Sequence, residues 1–173
     1  QRRVTELEQE LHLSPLPPVV IGGALIVPAG LLARLQGQMT QAPDRLAHDT
    51  ERIERLAMAA VMAAERRFGF EPHDVSPEKR GYDIESRVSG TGRLRFIEVK
   101  GRVASAQTVT ITKNEILTAF NKPDDFILAI VMIDGDTVTL WYIRRPFQRE
   151  PDFGVTSVNY DVEELLARAE HPS

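Results

Sequence analysis

Apolar and polar residues alternate along several short stretches between residues 70 and 143, a pattern typical of β-strands. The clearest alternation places Leu94, Phe96, Glu98 and Lys100 on one face of a strand and Arg93, Arg95, Ile97 and Val99 on the other. Just before it, Gly90 and Gly92 supply the positive φ values that a tight turn needs. The pattern therefore predicts a strand, a turn and a second strand between residues 81 and 101.

Other stretches predict helices and further strands around this hairpin. An apolar stripe at steps of three and four predicts a long helix from about Pro43 to Phe68. A second helix is expected to begin after Thr112, because Glu115 completes a capping box with it, and to end near Lys122. We also expect strands at residues 70–76, 108–111, 126–132 and 137–143 and an acidic helix at 162–169, with 108–111 continuing the hairpin as a meander.

This order of elements predicts an α/β fold with a mixed five-stranded sheet flanked by helices. Residues 41–150 form the expected domain. Residues 1–40 hold a proline-rich break and a glycine pair, and we interpret them as a linker and edge hairpin from a preceding region of a longer chain. Residues 151–173 are expected to be a C-terminal tail that carries the short acidic helix.

Composition narrows the class of protein. The absence of cysteine excludes disulfides and zinc sites of the cysteine type, and no apolar run reaches the roughly 18 residues of a membrane span. We therefore expect no membrane contact and a cytoplasmic location. The net charge of −4 argues against a protein that coats nucleic acid, yet residues 77–122 hold nine Lys and Arg against five Asp and Glu. This local excess is either a phosphate-facing surface or ordinary scatter.

The candidate chemistry lies on the two strands of the hairpin. Glu98 and Lys100 share one face, and the hairpin can bring Asp83 opposite them. Two carboxylates beside a lysine suit Mg²⁺, with Mn²⁺ also possible, and the lysine can orient a water for attack on phosphate. An ordinary ion pair on a half-exposed strand explains the same spacing equally well. Glu65 ends the apolar part of the long helix, where it must either pair with a neighbouring arginine or serve a cation.

These residues resemble a known group of nucleases. Asp83 followed by Glu98-x-Lys100, with Glu65 on the preceding helix, looks like the PD-(D/E)xK core, although Tyr82 stands where the motif's name has proline. The stretch from about residue 44 to residue 147 is similar to the NO VEIN C-terminal domain. The most specific matches are Gly81-Tyr82-Asp83-Ile84, Ile97-Glu98-Val99-Lys100-Gly101 and Thr112-Lys113-Asn114-Glu115.

The resemblance implies a restriction-endonuclease-like core that acts as a metal-dependent DNA endonuclease module at the C-terminus of a helicase-like protein. Asp83, Glu98 and the Val99 carbonyl would bind the metal. Lys100 would position or activate the water, and Glu65 would support the site. Candidates for contact with nucleic acid are Lys79, Arg80, Arg102 and Lys113.

The implied partners are DNA and the helicase or ATPase region of the same longer chain. A catalytically silent nucleic-acid-binding or docking domain remains the alternative. The capping box and a role at the site compete for Glu115, and we favour the cap because a carboxylate that caps the helix is not free to bind a metal.

Overall fold

A computed structural model describes residues 43–172 and, before them, only the helical residues Leu32 and Leu35. Apart from these two, the predicted appendage at residues 1–40 lies outside the described residues. Helix α1 spans Pro43–Arg67, as its apolar stripe predicts. The elements that follow are β1 (Glu71–Asp74), β2 (Ile84–Arg87), β3 (Leu94–Val103), β4 (Thr108–Thr112), α2 (Lys113–Asn121), β5 (Phe126–Asp134), β6 (Thr137–Arg144), β7 (Ser157–Asp161) and α3 (Val162–Leu166).

Five of these strands form one mixed sheet in the order β1-β2-β3-β5-β6. Strands β3 and β5 run parallel, while β1–β2, β2–β3 and β5–β6 are antiparallel pairs. The parallel pair requires a crossover, which β4 and α2 provide. The predicted α/β class and mixed five-stranded sheet are therefore confirmed.

The prediction that β4 extends the hairpin as a meander is wrong. Strand β5 pairs with β3 from Phe96 to Val103 and so takes the edge that β4 would have used. Instead β4 pairs antiparallel with β7 in a separate two-stranded sheet, and β1 supplies the fifth strand of the main sheet. The region expected to be a tail thus contributes a strand, and its buried Val162 and Leu165 add to the core.

Helices cover both faces of the main sheet. On one face Ala57 and Val61 of α1 pack against Ile97 and Ala129. On the other face Ile116 of α2 packs among buried residues of β5 and β6, including Leu128, Ile130 and Ile143. Strand β5 is buried on both faces, as its continuous apolar run predicts.

Two glycines bring the helices close to the strands that carry the candidate chemistry. A Cβ on Gly101 would lie 2.9 Å from Ala57 Cβ and 2.9 Å from Ile53 Cγ2, so only glycine lets α1 approach β3 at this point. Gly81 has φ +84°, and a Cβ there would overlap Thr118 Oγ1 of α2. These contacts fix the chain on either side of Asp83 and Lys100.

Candidate functional site

An open cleft of about 510 Å³ lies where β3 passes between the middle of α1 and the start of α2. Its lining contains five acidic side chains, Glu54, Asp74, Asp83, Glu98 and Glu115. Three basic side chains, Arg55, Lys100 and Arg102, share the same walls. The cleft is therefore rich in acid, although the surrounding stretch of sequence has a basic excess.

The carboxylate of Asp83 is held beside β3, just past the end of its pairing with β2. Strand β2 pairs with β3 up to the Ile84–Ile97 pair, and the Asp83 N–H donates to Ile97 O at 2.9 Å. Two residues further along β3, the Val99 N–H donates to Asp83 Oδ2 at 2.9 Å. The hairpin thus brings Asp83 beside the strand that carries Glu98, as the sequence predicts.

Lys100 lies between two carboxylates. Its Nζ is 2.7 Å from Glu98 Oε1 and 3.0 Å from Glu115 Oε2. Glu115 reaches the cleft from the first turn of α2, where its side chain also accepts the Thr112 N–H at 2.9 Å. The predicted capping box is confirmed, because Thr112 Oγ1 in turn accepts from the Glu115 N–H.

Burial controls the charge of this cluster. Burial raises the pKa of Glu98 to about 8, against the opposing attraction of Lys100. Burial also raises the pKa of Asp83, while its hydrogen bond from Val99 acts in the opposite direction. Burial alone would lower the pKa of Lys100, but the attraction of Glu98 and Glu115 outweighs it and raises that pKa. The protein therefore keeps the ammonium charged and makes one carboxylate a ready acceptor of a proton or a cation.

The donor set fits a hard divalent cation. Mg²⁺ is commonly held by one or two carboxylates and keeps several waters, for which the cleft has room. Asp83 and Glu98 supply the two carboxylates. The Val99 carbonyl points to the same edge of β3 as its N–H, toward Asp83. Within residues 43–172, no group of three or more His, Cys, Asp or Glu side chains is arranged to hold a metal.

Glu65 does not join this cluster, which corrects the prediction that it supports the metal. Its carboxylate is fully buried, accepts the Tyr142 hydroxyl at 2.8 Å and lies 3.3 Å from the Arg95 guanidinium. Arg95 also stacks on Phe70, with its guanidinium carbon 4.8 Å from the ring centroid. Partners on β3 and β6 therefore offset part of the cost of burying Glu65 through Oε1, while its Oε2 has no hydrogen-bond partner among the described residues.

The four predicted nucleic-acid contacts occupy different surroundings. Arg102 lines the cleft, but its guanidinium donates to Gly101 O at 2.8 Å. Lys79 lines an adjoining recess of about 400 Å³ that also borders Asp83 and Glu98. Arg80 pairs with Glu78 and lies 3.7 Å from Glu85. Lys113 donates to Phe153 O at 2.8 Å, so it holds the loop after β6 and is not among the residues that line the cleft.

Sequence reasoning missed Glu54 and Asp74 as part of the cleft. Glu54 lies in the charged first half of α1, which offered no sign of the face that meets β3. Asp74 ends β1, where its Oδ1 accepts the Ser76 hydroxyl at 2.7 Å. Asp74 could have been predicted, because it is a polar residue at the end of the strand that precedes the hairpin. The contact between Glu115 and Lys100 had no signal beyond the capping box.

A comparison with protein-family models finds a match over residues 53–143 to the family described as protein NO VEIN, C-terminal. The chain belongs to the NO VEIN C-terminal family. The match runs from the middle of α1 to the end of β6 and so includes Asp83, Glu98, Lys100 and Glu115. No curated protein matches the chain. Across residues 43–172, no helix of this NO VEIN C-terminal domain has both the length and the apolar surface needed to span a bilayer.

Proposed function

We propose that this NO VEIN C-terminal domain is a metal-dependent nuclease module of the PD-(D/E)xK type that hydrolyses phosphodiester bonds in DNA. The observation that carries the proposal is the convergence of Asp83, Glu98 and Lys100 in one open cleft, beside the part of β3 that extends past its pairing with β2. The spacing of these residues in the sequence agrees with that motif. The restriction-endonuclease-like classification of the fold is part of the same proposal.

Each residue then has a role that follows from its surroundings. Asp83 and Glu98 would hold the cation, and Val99, which orients Asp83 through its N–H, would offer its carbonyl. Bound Mg²⁺, or Mn²⁺ in its place, would lower the pKa of a water and offset charge on the scissile phosphate. Lys100, on the same face as Glu98, donates to the attacking water or to a phosphate oxygen.

The acid-rich lining supports dependence on a divalent cation for DNA binding as well as for cleavage. Even with Glu98 protonated, four other acidic side chains face three basic ones in the cleft, so a phosphate backbone is repelled by the cation-free walls. A divalent cation reverses much of that repulsion. Lys79, which borders the adjoining recess, and Arg102 then flank the path of the strand. Attachment to a helicase-like motor, as the family resemblance implies, would deliver the DNA to the cleft.

Cleavage assays with the whole chain test this function. Single-stranded, duplex and branched DNA would be incubated with Mg²⁺, with Mn²⁺ and with EDTA. We expect cation-dependent cleavage that Asp83→Asn and Lys100→Met each abolish. Asp136→Asn is the matched control, because Asp136 lies in the exposed turn between β5 and β6. Cleavage that persists in EDTA, or in both variants, would remove these residues from the reaction.

A catalytically silent nucleic-acid-binding or docking domain is the second candidate. Two observations favour it. Lys100 is already paired with both Glu98 and Glu115, and no third carboxylate among residues 43–172 is placed to hold a metal with Asp83 and Glu98. DNA binding that is sensitive to salt but unchanged by Mg²⁺, with no cleavage of any substrate, would support this candidate over the nuclease.

A further inference from the structure

The Lys100 ammonium pairs with two carboxylates in the cleft, those of Glu98 and Glu115, and the two are held differently. Glu98 lies on the same strand as Lys100 and is a proposed cation ligand, with its Oε1 2.7 Å from Lys100 Nζ. Glu115 comes from α2, and its Oε2 both lies 3.0 Å from Lys100 Nζ and accepts the Thr112 N–H. Glu115 is thereby fixed to the helix start, whereas Glu98 has no such tie to a backbone N–H in the described contacts.

Entry of a divalent cation changes this arrangement. Glu98 is almost fully buried, so a cation bound to its carboxylate would lie close to the Lys100 ammonium, and the two positive charges would repel each other strongly. Lys100 has a flexible four-carbon stem, so its head can leave one carboxylate while it keeps the other. Without Glu115, the displaced ammonium would stay inside a cleft where only 16% of its side chain is exposed.

We propose that Lys100 occupies the cation position at Glu98 in the metal-free protein, and that Glu115 retains the lysine when a divalent cation replaces it there. This inference rests on the proposed function. Glu115 is a positioning residue in this scheme, since it acts on the cation through Lys100. Cation uptake is then coupled to the first turn of α2, because the carboxylate that receives the lysine also caps that helix.

A double-mutant cycle on cation affinity tests the exchange without any assay of cleavage. Mn²⁺ would be titrated by calorimetry into the wild-type chain, Glu115→Gln, Lys100→Met and the double variant. We expect Glu115→Gln to weaken Mn²⁺ binding, and the weakening to be about tenfold greater with Lys100 present than in its absence. Equal weakening in both backgrounds would mean that Glu115 attracts the cation directly and would overturn the exchange.

Two controls separate the charge of Glu115 from its cap. Thr112→Ala removes the hydroxyl that accepts the Glu115 N–H but leaves the carboxylate beside Lys100. Asp161→Ala removes the N-cap of α3, which is remote in sequence from the cluster. Both variants should bind Mn²⁺ like the wild type. If Thr112→Ala weakens binding as much as Glu115→Gln does, a purely structural cap explains the effect and the proposal fails.

A crystal structure of the Mg²⁺-loaded wild type gives a second readout. The expected result is Lys100 Nζ within hydrogen-bond distance of Glu115 and no longer in contact with Glu98. A lysine that stays on Glu98 would overturn the exchange and leave the nuclease proposal intact. Absence of Mn²⁺ and Mg²⁺ binding by the wild type would instead refute the proposed function, and the exchange with it.

Discussion

Replacement of Glu65 should destabilise the domain without affecting its cleft. Glu65 is fully buried and contacts Arg95 and Tyr142, both of which are almost fully buried themselves. Glu65→Gln keeps a group that can accept the Tyr142 hydroxyl but removes the charge that faces Arg95. Glu65→Leu removes both interactions while keeping a side chain of similar size.

The contacts give the size of the effect. Loss of one partner from a buried ion pair costs about 3–5 kcal/mol, since the remaining charge stays out of water. We therefore expect Glu65→Gln to lower the free energy of unfolding by about 3 kcal/mol, because the Tyr142 hydrogen bond survives. Glu65→Leu should cost about 5 kcal/mol, which is a large part of the 5–15 kcal/mol typical of a domain.

Urea unfolding, followed by the fluorescence of the single tryptophan Trp141, measures these differences. Glu65→Leu combined with Arg95→Met should recover much of the lost stability, because the double variant replaces both charges with apolar groups. Mn²⁺ affinity should equal that of the wild type in every folded variant. Weakened Mn²⁺ binding in Glu65→Gln, with little change in stability, would refute the assignment of Glu65 to the core.

Three further changes test other parts of the structure. Gly101→Ala should lower the free energy of unfolding by about 1–3 kcal/mol, because the added Cβ would lie 2.9 Å from Ala57 Cβ. Urea titrations measure this loss, and an unchanged midpoint would contradict the close approach of α1. The pKa of Glu98 in the folded chain is about 8, which is above its ordinary value. The folded state therefore holds a proton that the unfolded state has lost, and the stability of the wild type should fall as the pH rises toward 8. Urea midpoints between pH 5 and pH 8 should therefore fall more steeply in the wild type than in Glu98→Gln, and equal slopes would show that Glu98 is not the group responsible. Removal of residues 151–173 should abolish cooperative unfolding measured by circular dichroism, because Val109 and Ile111 on β4 lose β7; a truncated chain that unfolds cooperatively would contradict this role.

The sequence predicted those helices and turns whose formation depends on residues close together in the chain. The alternation at residues 93–100 and the glycines before it specify the β2–β3 hairpin, and the apolar stripe specifies α1. Asp83 was predicted opposite Glu98 because a hairpin joins the two strands. The spacing of Thr112 and Glu115 predicts the start of α2, and the structure contains the capping box that they form.

Features that depend on distant partners were missed or misassigned. Strand β4 pairs with residues about 50 positions later, and the alternation of Val158 and Tyr160 is too short to identify that partner. Glu65 contacts Arg95 and Tyr142, which lie on two strands of the sheet. The periodicity of a helix does not identify contacts with other elements. The contact between Glu115 and Lys100 likewise needs the packing of α2 against β5, the neighbour of β3 in the sheet.

The pairing of β4 with β7 also bears on how the chain folds as it is synthesised. Thr112 ends β4 and caps α2, and the Lys113 N–H that follows donates to Thr156 O at 2.8 Å. One wall of the cleft is therefore anchored by residues that leave the ribosome well after the hairpin with Asp83 and Glu98. A nascent chain can form that hairpin early, but β4, which leads into the capped start of α2, gains its pairing partner only after β7 has been translated.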